Sequence, residues 1–416
     1  MRGLWIFALA LLLPPLVPAQ EALRASIAGQ DAAEARKRAL ANQRFNLKLG
    51  PVSLRFYGNL STEATDNIRS VEDNPEADLG VRAQLNTFAL WRVTERNSLT
   101  LGLGLGYVKY LETTDYDSIY ISPDTDLSFD IYVGDFLINL HDRFDYTQDV
   151  TSDPTISGTG SLSRFENTLG IRTIWDLNKA FVAASYDHRN YIATETKYKY
   201  LTHVAELMSL SAGFQITPTL QTGLEISGGM LDYQQNLVQD NQHVAIGPFL
   251  NGQLTEYTSF QLGAGYVVYF LDELTSPGGT NTLGFTNAAS VMDAFYVGGV
   301  IRQRVGDFLT HSLTFSRSVQ SGIASQLLDL WRVEHSASWT VLRKTGVGTS
   351  LSYEHGFQPG LGGETLDRIG GGLSFSRTIT QHATARLGYQ VYYKQSDIPG
   401  RGYLQNRLVL NLTYTF

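Results

Sequence analysis

The stretch 408–416 alternates between apolar and polar side chains. One parity is apolar or aromatic throughout: Leu408, Leu410, Leu412, Tyr414 and Phe416. The other parity is mostly polar, with one asparagine and two threonines. Because successive side chains of a β-strand point to opposite faces, this pattern predicts a strand with one apolar and one polar face.

The same period of two residues recurs from residue 51 onward. Clear examples lie at 99–107, 331–341 and 387–393, where one parity is apolar and the other is polar or glycine. Gly, Pro, Asn and Asp separate these segments at the positions where turns need them. The segments number about eighteen, and the connections between them are alternately long and polar or short and tight.

This sorting of the connections predicts a transmembrane barrel. In outer-membrane barrels one rim carries tight turns and the other carries long loops, whereas a soluble sandwich has no reason to separate them. A strand tilted by about 40° needs roughly ten residues, at about 3.3 Å each, to cross an apolar belt about 25 Å tall. We therefore expect an all-β fold, a transmembrane antiparallel up-and-down β-barrel of about 18 strands (16–18) with aromatic side chains near the strand ends.

Residues 1–50 differ in composition from the rest of the chain. In residues 1–19, Arg2 precedes an apolar core, a Pro-Pro pair interrupts it and small residues end at Ala19. This arrangement predicts a secretory signal peptide. Residues 20–50 are rich in Ala, Arg and Gln, and we expect a periplasmic N-terminal segment that is helical or disordered. Residues 51–416 form the predicted barrel.

Composition and charge narrow the function. The absence of cysteine excludes disulfides, thiolate metal sites and cysteine nucleophiles. The net charge of −8 argues against nucleic acid as a partner, because phosphate binding needs a basic surface. Up to Gly50, seven Lys/Arg and three Asp/Glu give +4, so the remainder carries −8 minus +4, or −12. Much of this negative charge lies in two long connections that we place outside the membrane, near 61–78 and 112–126.

The alternating residues that end at Phe416 resemble the C-terminal signature of bacterial outer-membrane proteins. The resemblance implies that Leu412, Tyr414 and Phe416 address the chain to the barrel-assembly machinery. A second resemblance lies in "LKLGPVSLRFYGNLSTEATDNI" and "NPEADLGVRAQLNTFALWRV". This hairpin looks like the porin-like outer-membrane protein families of Gram-negative bacteria, some of which are associated with exopolysaccharide production. The likeness implies a barrel and suggests transport, and it supplies no catalytic residues. We expect a cell outer-membrane location, with lipid and lipopolysaccharide as partners.

The strand phase assigns a set of charged side chains, mostly arginine, to the lumen: Arg55, Arg82, Arg143, Arg172, Arg302, Arg332, Glu334, Arg368, Arg386 and Arg407. The planar guanidinium suits a wall that pairs with carboxylates bidentately or generates a field. One interpretation is a constriction that selects solutes by charge. The other is that these charges neutralise acidic residues on neighbouring strands, since any wide barrel needs a polar interior.

The same phase weakens the enzymatic alternatives. His311 and His335 fall on the outward parity, whereas the nearby Ser312 and Ser336 fall inward, so no Ser-His pair is predicted. The motif "HDRFD" places His141, Arg143 and Asp145 on one inward face, which suits either an acid–base or metal cluster or a salt-bridged wall. We expect no enzyme, no metal and no cofactor.

Two functions remain open from the sequence. The first is a porin-like channel for passage or export of small polar solutes or saccharides, because barrels of 16–18 strands enclose an aqueous lumen. For this channel we expect a weak preference for anions, or for neutral and acidic saccharides. The arginines expected to contribute are Arg82, Arg172, Arg332, Arg386 and Arg407. The alternative is a structural or docking barrel in envelope or exopolysaccharide assembly, suggested by the basic segment at 20–48.

Overall fold

The computed structural model describes residues 45–150, 153–235, 237–272, 291–320, 327–358 and 363–416. The predicted signal peptide and residues 20–44 lie outside these ranges. The strands of the first half are β1 (Leu47–Leu49), β2 (Val52–Thr65), β3 (Asp78–Arg92), β4 (Ser98–Tyr110), β5 (Ser118–Ile121), β6 (Asp126–Val133), β7 (Phe136–Thr147), β8 (Arg164–Asp176), β9 (Ala180–Ala193) and β10 (His203–Thr217). Those of the second half are β11 (Leu220–Tyr233), β12 (Asn241–Thr255), β13 (Thr258–Leu271), β14 (Val291–Val305), β15 (Leu309–Gln320), β16 (Leu328–Leu342), β17 (Thr345–Phe357), β18 (Thr365–Thr378), β19 (Ala383–Ser396) and β20 (Tyr403–Thr415).

These strands form one closed antiparallel barrel. Each pairs with its neighbours in sequence, and β20 pairs with β2, from Tyr57↔Thr415 to Thr65↔Arg407. The short strands β5 and β6 share one position between β4 and β7. The wall therefore has eighteen strand positions, as the sequence predicts. Because the sheet is closed, the described wall strands have no free edge with unpaired backbone groups. A strand in hydrocarbon requires this pairing, since no water is there to hydrogen-bond the backbone.

The two faces of the wall differ in polarity. Large apolar side chains of one parity are exposed on the outside, as with Leu408, Leu410 and Leu412 of β20. Side chains of the other parity point inward and are mostly polar, charged or glycine. The strand alternation predicted from the sequence is thus present around the barrel.

The two rims also differ. At one rim the connections are two to five residues long, and at the other they are at least six. The connection predicted near 112–126 is wrong in part, because residues 118–121 form strand β5, with Tyr120 on the inward face. Two short 3-10 helices, Thr114–Tyr116 and Thr196–Leu201, lie in the longer connections. Among the described residues, no helix has the length and apolar character needed to cross a membrane.

The short strand β1 completes the sheet beside the chain end. Leu47–Leu49 pairs with residues 52–54 of β2, and β20 pairs with the same strand from Tyr57 onward. The side-chain amide of Asn46 donates to the carbonyl oxygen of Phe416 (2.7 Å) and to that of Phe56 (3.0 Å). The described end of the predicted N-terminal segment is therefore strand, attached to the short-turn rim.

Candidate functional site: the inner wall of the barrel

The structure places the ten charged residues predicted for the lumen on the inward parity of their strands: Arg55, Arg82, Arg143, Arg172, Arg302, Arg332, Glu334, Arg368, Arg386 and Arg407. Their neighbours in sequence carry the exposed apolar side chains of the outer face. Closure and register bring these residues from distant parts of the sequence onto one interior surface. Their partners differ, and the partners determine which charges a solute would encounter.

A buried ionic cluster joins β16, β17 and β18. Arg368 Nε lies 2.5 Å from Glu354 Oε2, and Arg332 lies 3.4 Å from Glu354 Oε1 and 3.0 Å from Glu334 Oε2. The side chains of Glu354 and Arg368 are 2% and 4% exposed. Glu354 and Arg368 lie directly opposite each other in the register, so the pairing follows from the fold. Here the predicted arginines neutralise acidic neighbours.

Three further ion pairs follow the same principle. Arg407 lies 2.6 Å from Glu63 across the closing strand pair β20–β2. On β8 and β9, Glu166 lies 2.8 Å from Arg164 and 2.6 Å from Arg189. Arg164 and Arg189 were not among the residues predicted from the sequence. Their inward parity was the available signal, since both alternate with exposed or half-buried side chains.

Several predicted arginines contact other types of group. Arg82 lies over the ring of Tyr120 (5.1 Å to the centroid) and Arg55 over that of Tyr57 (4.9 Å). Arg386 donates to Ser374 Oγ at 3.0 Å. Cation–π and hydroxyl contacts hold a guanidinium without cancelling its charge.

Arg172, Arg143 and Arg302 complete the predicted set. Arg172 lies within electrostatic reach of Asp187 and Glu225. Arg143 and Arg302 are exposed on the inward side of β7 and β14. Their exposure suits contact with water or solute in the interior.

The histidine motif "HDRFD" forms part of this wall. His141 Nε2 lies 2.7 Å from Asp187 Oδ1, and its Nδ1 lies 3.0 Å from Asn139 Oδ1. Within the described ranges, no group of three or more His, Cys, Asp or Glu side chains is placed to hold a metal ion. The geometry matches a hydrogen-bonded wall.

The other predicted histidines and serines stay apart. His311 and His335 face outward with ring centroids 5.7 Å apart, whereas Ser312 and Ser336 meet on the inward face at 2.8 Å. The sheet therefore separates these histidines from the serines beside them. The same holds for Asp187 and His188, which contact partners on opposite faces.

The connection between β7 and β8 covers part of the inner wall. Its described residues 153–163, here called the inner segment, reach three other parts of the barrel. The amide of Gly158 donates to Ser70 O (3.1 Å), and that of Gly160 to the hydroxyl of Tyr116 (3.3 Å). Thr155 O lies 3.5 Å from Lys394 Nζ on β19. Between β7 and β19 this contact spans the position shared by β5 and β6, then β4, β3, β2 and β20, so the inner segment turns inward over the wall.

Packing explains why the inner segment lies inside. Ile156 and Leu162 pack with Val150, Ala193 and Leu201 in a buried apolar cluster. Removing apolar area from water favours this arrangement over an extended loop in solvent. Gly160 is required by contact, since a Cβ there would lie 2.2 Å from Ile68 O. The stretch "DVTSDPTISGTG" (149–160) is one of the long polar connections of the sequence, yet it contains Val150 and Ile156 of this cluster.

The inward faces of β10–β15, here called the low-charge wall, have a different character. Their charged residues are Glu225, with Arg302 and Arg304 near the short-turn rim. His243 packs against Tyr269 with ring centroids 5.2 Å apart. The sequence-based prediction, which followed charge, selected Arg302 alone from this part of the wall.

The outer face carries two matching polar clusters close to the long-loop rim. On β9 and β10, Tyr186 and His188 contact Glu206 at 2.6 and 2.8 Å. On β17 and β18, Tyr353 and His355 contact Asp367 at 2.6 and 2.9 Å. Both arise from S-Y-(D/E)-H, in which the tyrosine and histidine share the outward parity.

The short-turn rim contrasts with those clusters. Its outward positions include Trp91, Trp175, Phe214 and Trp339, all of them exposed. Amphipathic rings favour a membrane–water interface.

The residues of the predicted assembly signal lie at this same rim. Leu412 and Tyr414 face outward and are exposed, and the rings of Tyr414 and Phe416 meet edge to face at 5.4 Å. The amide of Phe416 donates to Phe56 O at 3.2 Å. These contacts bring the alternating C-terminal residues to the seam of the barrel.

No protein-family model matches the sequence, and no curated protein matches it. Among solved structures, the chain is similar to OccK2 (OpdF) of Pseudomonas aeruginosa in complex with glucuronate. The identity is 10% and the TM-score 0.50, covering 90% of this chain and 100% of that one. The outer membrane protein OpdK of the same organism matches at 10% identity and a TM-score of 0.49, covering 88% of this chain and 99% of that one. OccAB3 of Acinetobacter baumannii matches at 11% and 0.48, covering 87% and 99%. The resemblance to Gram-negative outer-membrane barrels is thereby confirmed for the fold.

Proposed function

We propose that this protein is an outer-membrane channel that passes small polar solutes, with no catalytic step. The observation that carries the proposal is the closed barrel of eighteen strand positions with a polar, charged inner face. Barrels of about 16–18 strands are too wide for side chains to fill and leave an aqueous path. The covering by the inner segment would narrow this path without closing the whole cross-section.

The outer face supports a location in a membrane. Exposed leucine, valine and aromatic side chains surround the barrel, and leaving such a surface in water is unfavourable. The Tyr–His–carboxylate clusters at one rim and the tryptophans at the other suit the two interfaces of an outer membrane. We accordingly propose outer-membrane lipid and lipopolysaccharide as partners, and the barrel-assembly machinery as the reader of Leu412, Tyr414 and Phe416.

The ion pairs refine which arginines would set selectivity. Arg332 and Arg407 each have a carboxylate within 3.0 Å, so their fields are largely offset. Arg82 packs over an aromatic ring and Arg386 donates to a hydroxyl, and neither of these contacts cancels the charge of the guanidinium. A narrow low-dielectric passage focuses such fields more strongly than an acidic entrance does. We propose a weak anion preference, with Arg82 and Arg386 as main contributors and Arg172 as a smaller one, because Asp187 and Glu225 lie within its electrostatic reach.

Conductance and reversal potential in planar bilayers test both statements. Refolded wild-type protein should give discrete conductance steps. In a KCl gradient, the sign of its reversal potential should indicate that chloride passes more readily than potassium. Arg82→Glu combined with Arg386→Glu should move the potential toward cation preference. Arg377→Glu on the outward parity of β18 is the matched control and should leave it unchanged. A folded barrel without conductance would refute the channel, and an unmoved potential would refute the role of these arginines.

Solute class is the next question for the same preparation. The glucuronate in the OccK2 structure is a sugar carboxylate bound by that protein. We propose acidic and neutral saccharides as candidate solutes here, and glucuronate should block the current more strongly than glucose if the arginines act as stated. The docking alternative depended on residues 20–48, of which the structure describes 45–48, so it gains no support.

A further inference from the structure

One lysine of the inner wall has an unusual environment. The side chain of Lys394, on the inward parity of β19, is 0% exposed. Its Nζ lies 2.8 Å from Glu364 Oε1, and Glu364 is also 0% exposed. The second oxygen of Glu364 lies 3.2 Å from Arg401 Nη1. Lysine and glutamate are seldom fully buried unless they are paired, so this triad needs a structural or functional reason.

The third neighbour of the ammonium supplies that reason. Thr155 O of the inner segment lies 3.5 Å from Lys394 Nζ. Thr155 itself is held by Asp153, whose Oδ1 accepts from the Thr155 amide (2.8 Å) and hydroxyl (2.7 Å). This turn fixes the carbonyl in an orientation that the ammonium can reach. One buried cation therefore joins the barrel wall, the connection that ends at β18 and the inner segment.

We propose that Lys394 is the positioning residue that holds the inner segment against the wall. This inference rests on the proposed channel function in one respect, namely that the position of the segment sets the width of the passage. The anchoring itself is independent of transport. A charge-assisted bond in a dry environment is stronger than one in water.

Removing Lys394 and removing Glu364 from this triad should have different effects on the fold. Lys394→Met removes the contact with Thr155, yet Glu364 keeps Arg401 as its partner. Glu364→Gln instead removes the carboxylate that contacts the buried ammonium of Lys394 and leaves only the more distant Asp153 within electrostatic reach, which is more costly to the fold. Lys394→Met should therefore release the segment while the barrel stays folded. Lys394→Met with Glu364→Gln should recover stability relative to Glu364→Gln alone, since the buried ammonium is gone.

Thiol labelling measures the release without any reference to transport. The chain has no cysteine, so Ile156→Cys introduces a single thiol at a position 8% exposed. In the otherwise wild-type barrel this thiol should react slowly with a maleimide. With Lys394→Met the rate should rise about tenfold or more, because losing a bond to a charged donor shifts a local opening equilibrium by that order.

Lys109→Met is the matched control for labelling. Lys109 also pairs with a carboxylate, that of Asp117 at 2.9 Å, but it lies on the outside of β4 and is 58% exposed. The substitution Lys109→Met removes the same charge and should leave the labelling rate of Ile156→Cys unchanged. An equal rise in both lysine variants, or no rise with Lys394→Met in a barrel of wild-type melting behaviour, would overturn the anchor.

Single-channel recording then tests the consequence for the passage. Lys394→Met should give larger or more variable conductance than wild type, and Lys109→Met should match wild type. If labelling increases while conductance is unaltered, the link between the segment and the passage width is refuted. If wild type gives no conductance but labelling behaves as stated, the channel proposal fails and the anchor stands.

Discussion

The charged wall, formed by the inward faces of β16–β20 and β2–β9, differs from the low-charge wall of β10–β15. On the charged wall, cross-strand ion pairs such as Glu354–Arg368 and Glu63–Arg407 hold adjacent strands. The low-charge wall has close packing of aromatic rings on glycine, as where the hydroxyl of Tyr296 approaches Gly247 and Gly265. The charged wall has such packing as well, as where Tyr120 approaches Gly106. The two parts of the barrel thus share steric fit, and the charged wall adds electrostatic pairing.

The difference shows why charge alone is an incomplete guide to a lumen. The inner segment contacts Lys394 of the charged wall and Ser70 of the connection between β2 and β3. A solute would therefore pass between a wall that offers charge and a wall that offers amide, hydroxyl and aromatic groups. Substitutions in each wall, and in one exposed ion pair, test this contrast.

Glu354→Gln should destabilise the barrel most. Arg368 would then lose the carboxylate that lies 2.5 Å from it while it stays buried, and breaking a buried pair in this way costs about 3–5 kcal/mol. The control is Glu334→Gln, after which Arg332 still has Glu354 within 3.4 Å. Urea unfolding in detergent micelles, followed by tryptophan fluorescence, should give a lower midpoint for the first variant and a small change for the second. Equal midpoints would contradict the buried-pair account.

Gly247→Ala tests the steric fit of the low-charge wall. A Cβ at Gly247 would lie 2.0 Å from Ala264 O and 2.5 Å from the Tyr296 hydroxyl oxygen. Overpacking of this kind costs about 1–3 kcal/mol. At Gly388 of the charged wall, the nearest atoms are 4.0 Å from an added Cβ, so Gly388→Ala is the control and should unfold near the wild-type midpoint. A stable Gly247→Ala variant would show that this wall is not closely packed.

An exposed pair should have the smallest effect. Asp117 lies in the connection after β4, and the hydrogen bond that it accepts from Lys109 of β4 is the largest cause that lowers its pKa. A carboxyl whose folded pKa is lowered contributes stability above its unfolded pKa and loses it as the pH falls. Asp117→Asn should therefore be slightly less stable than wild type at neutral pH, and the two should converge in acid. Melting temperatures at both pH values measure this, and a difference that grows in acid would contradict it.

The sequence alone determined the architecture, because each strand must sort its side chains between lipid and water. That local rule explains why about eighteen segments, the alternation of long and short connections and the inward arginines were all predictable from residues such as Leu101, Arg332 and Arg407. It also explains why the sequence placed the histidines and serines at 311–336 on opposite faces.

Tertiary structure decided which charges meet and where the inner segment lies. Glu63 and Arg407 are separated by most of the chain and become neighbours only when β20 closes on β2. Lys394 meets Thr155 only because apolar residues hidden in a polar loop pack inside the barrel. These outcomes depend on closure, register and burial, which are properties of many strands together, whereas the alternation of side chains is a property of each strand by itself.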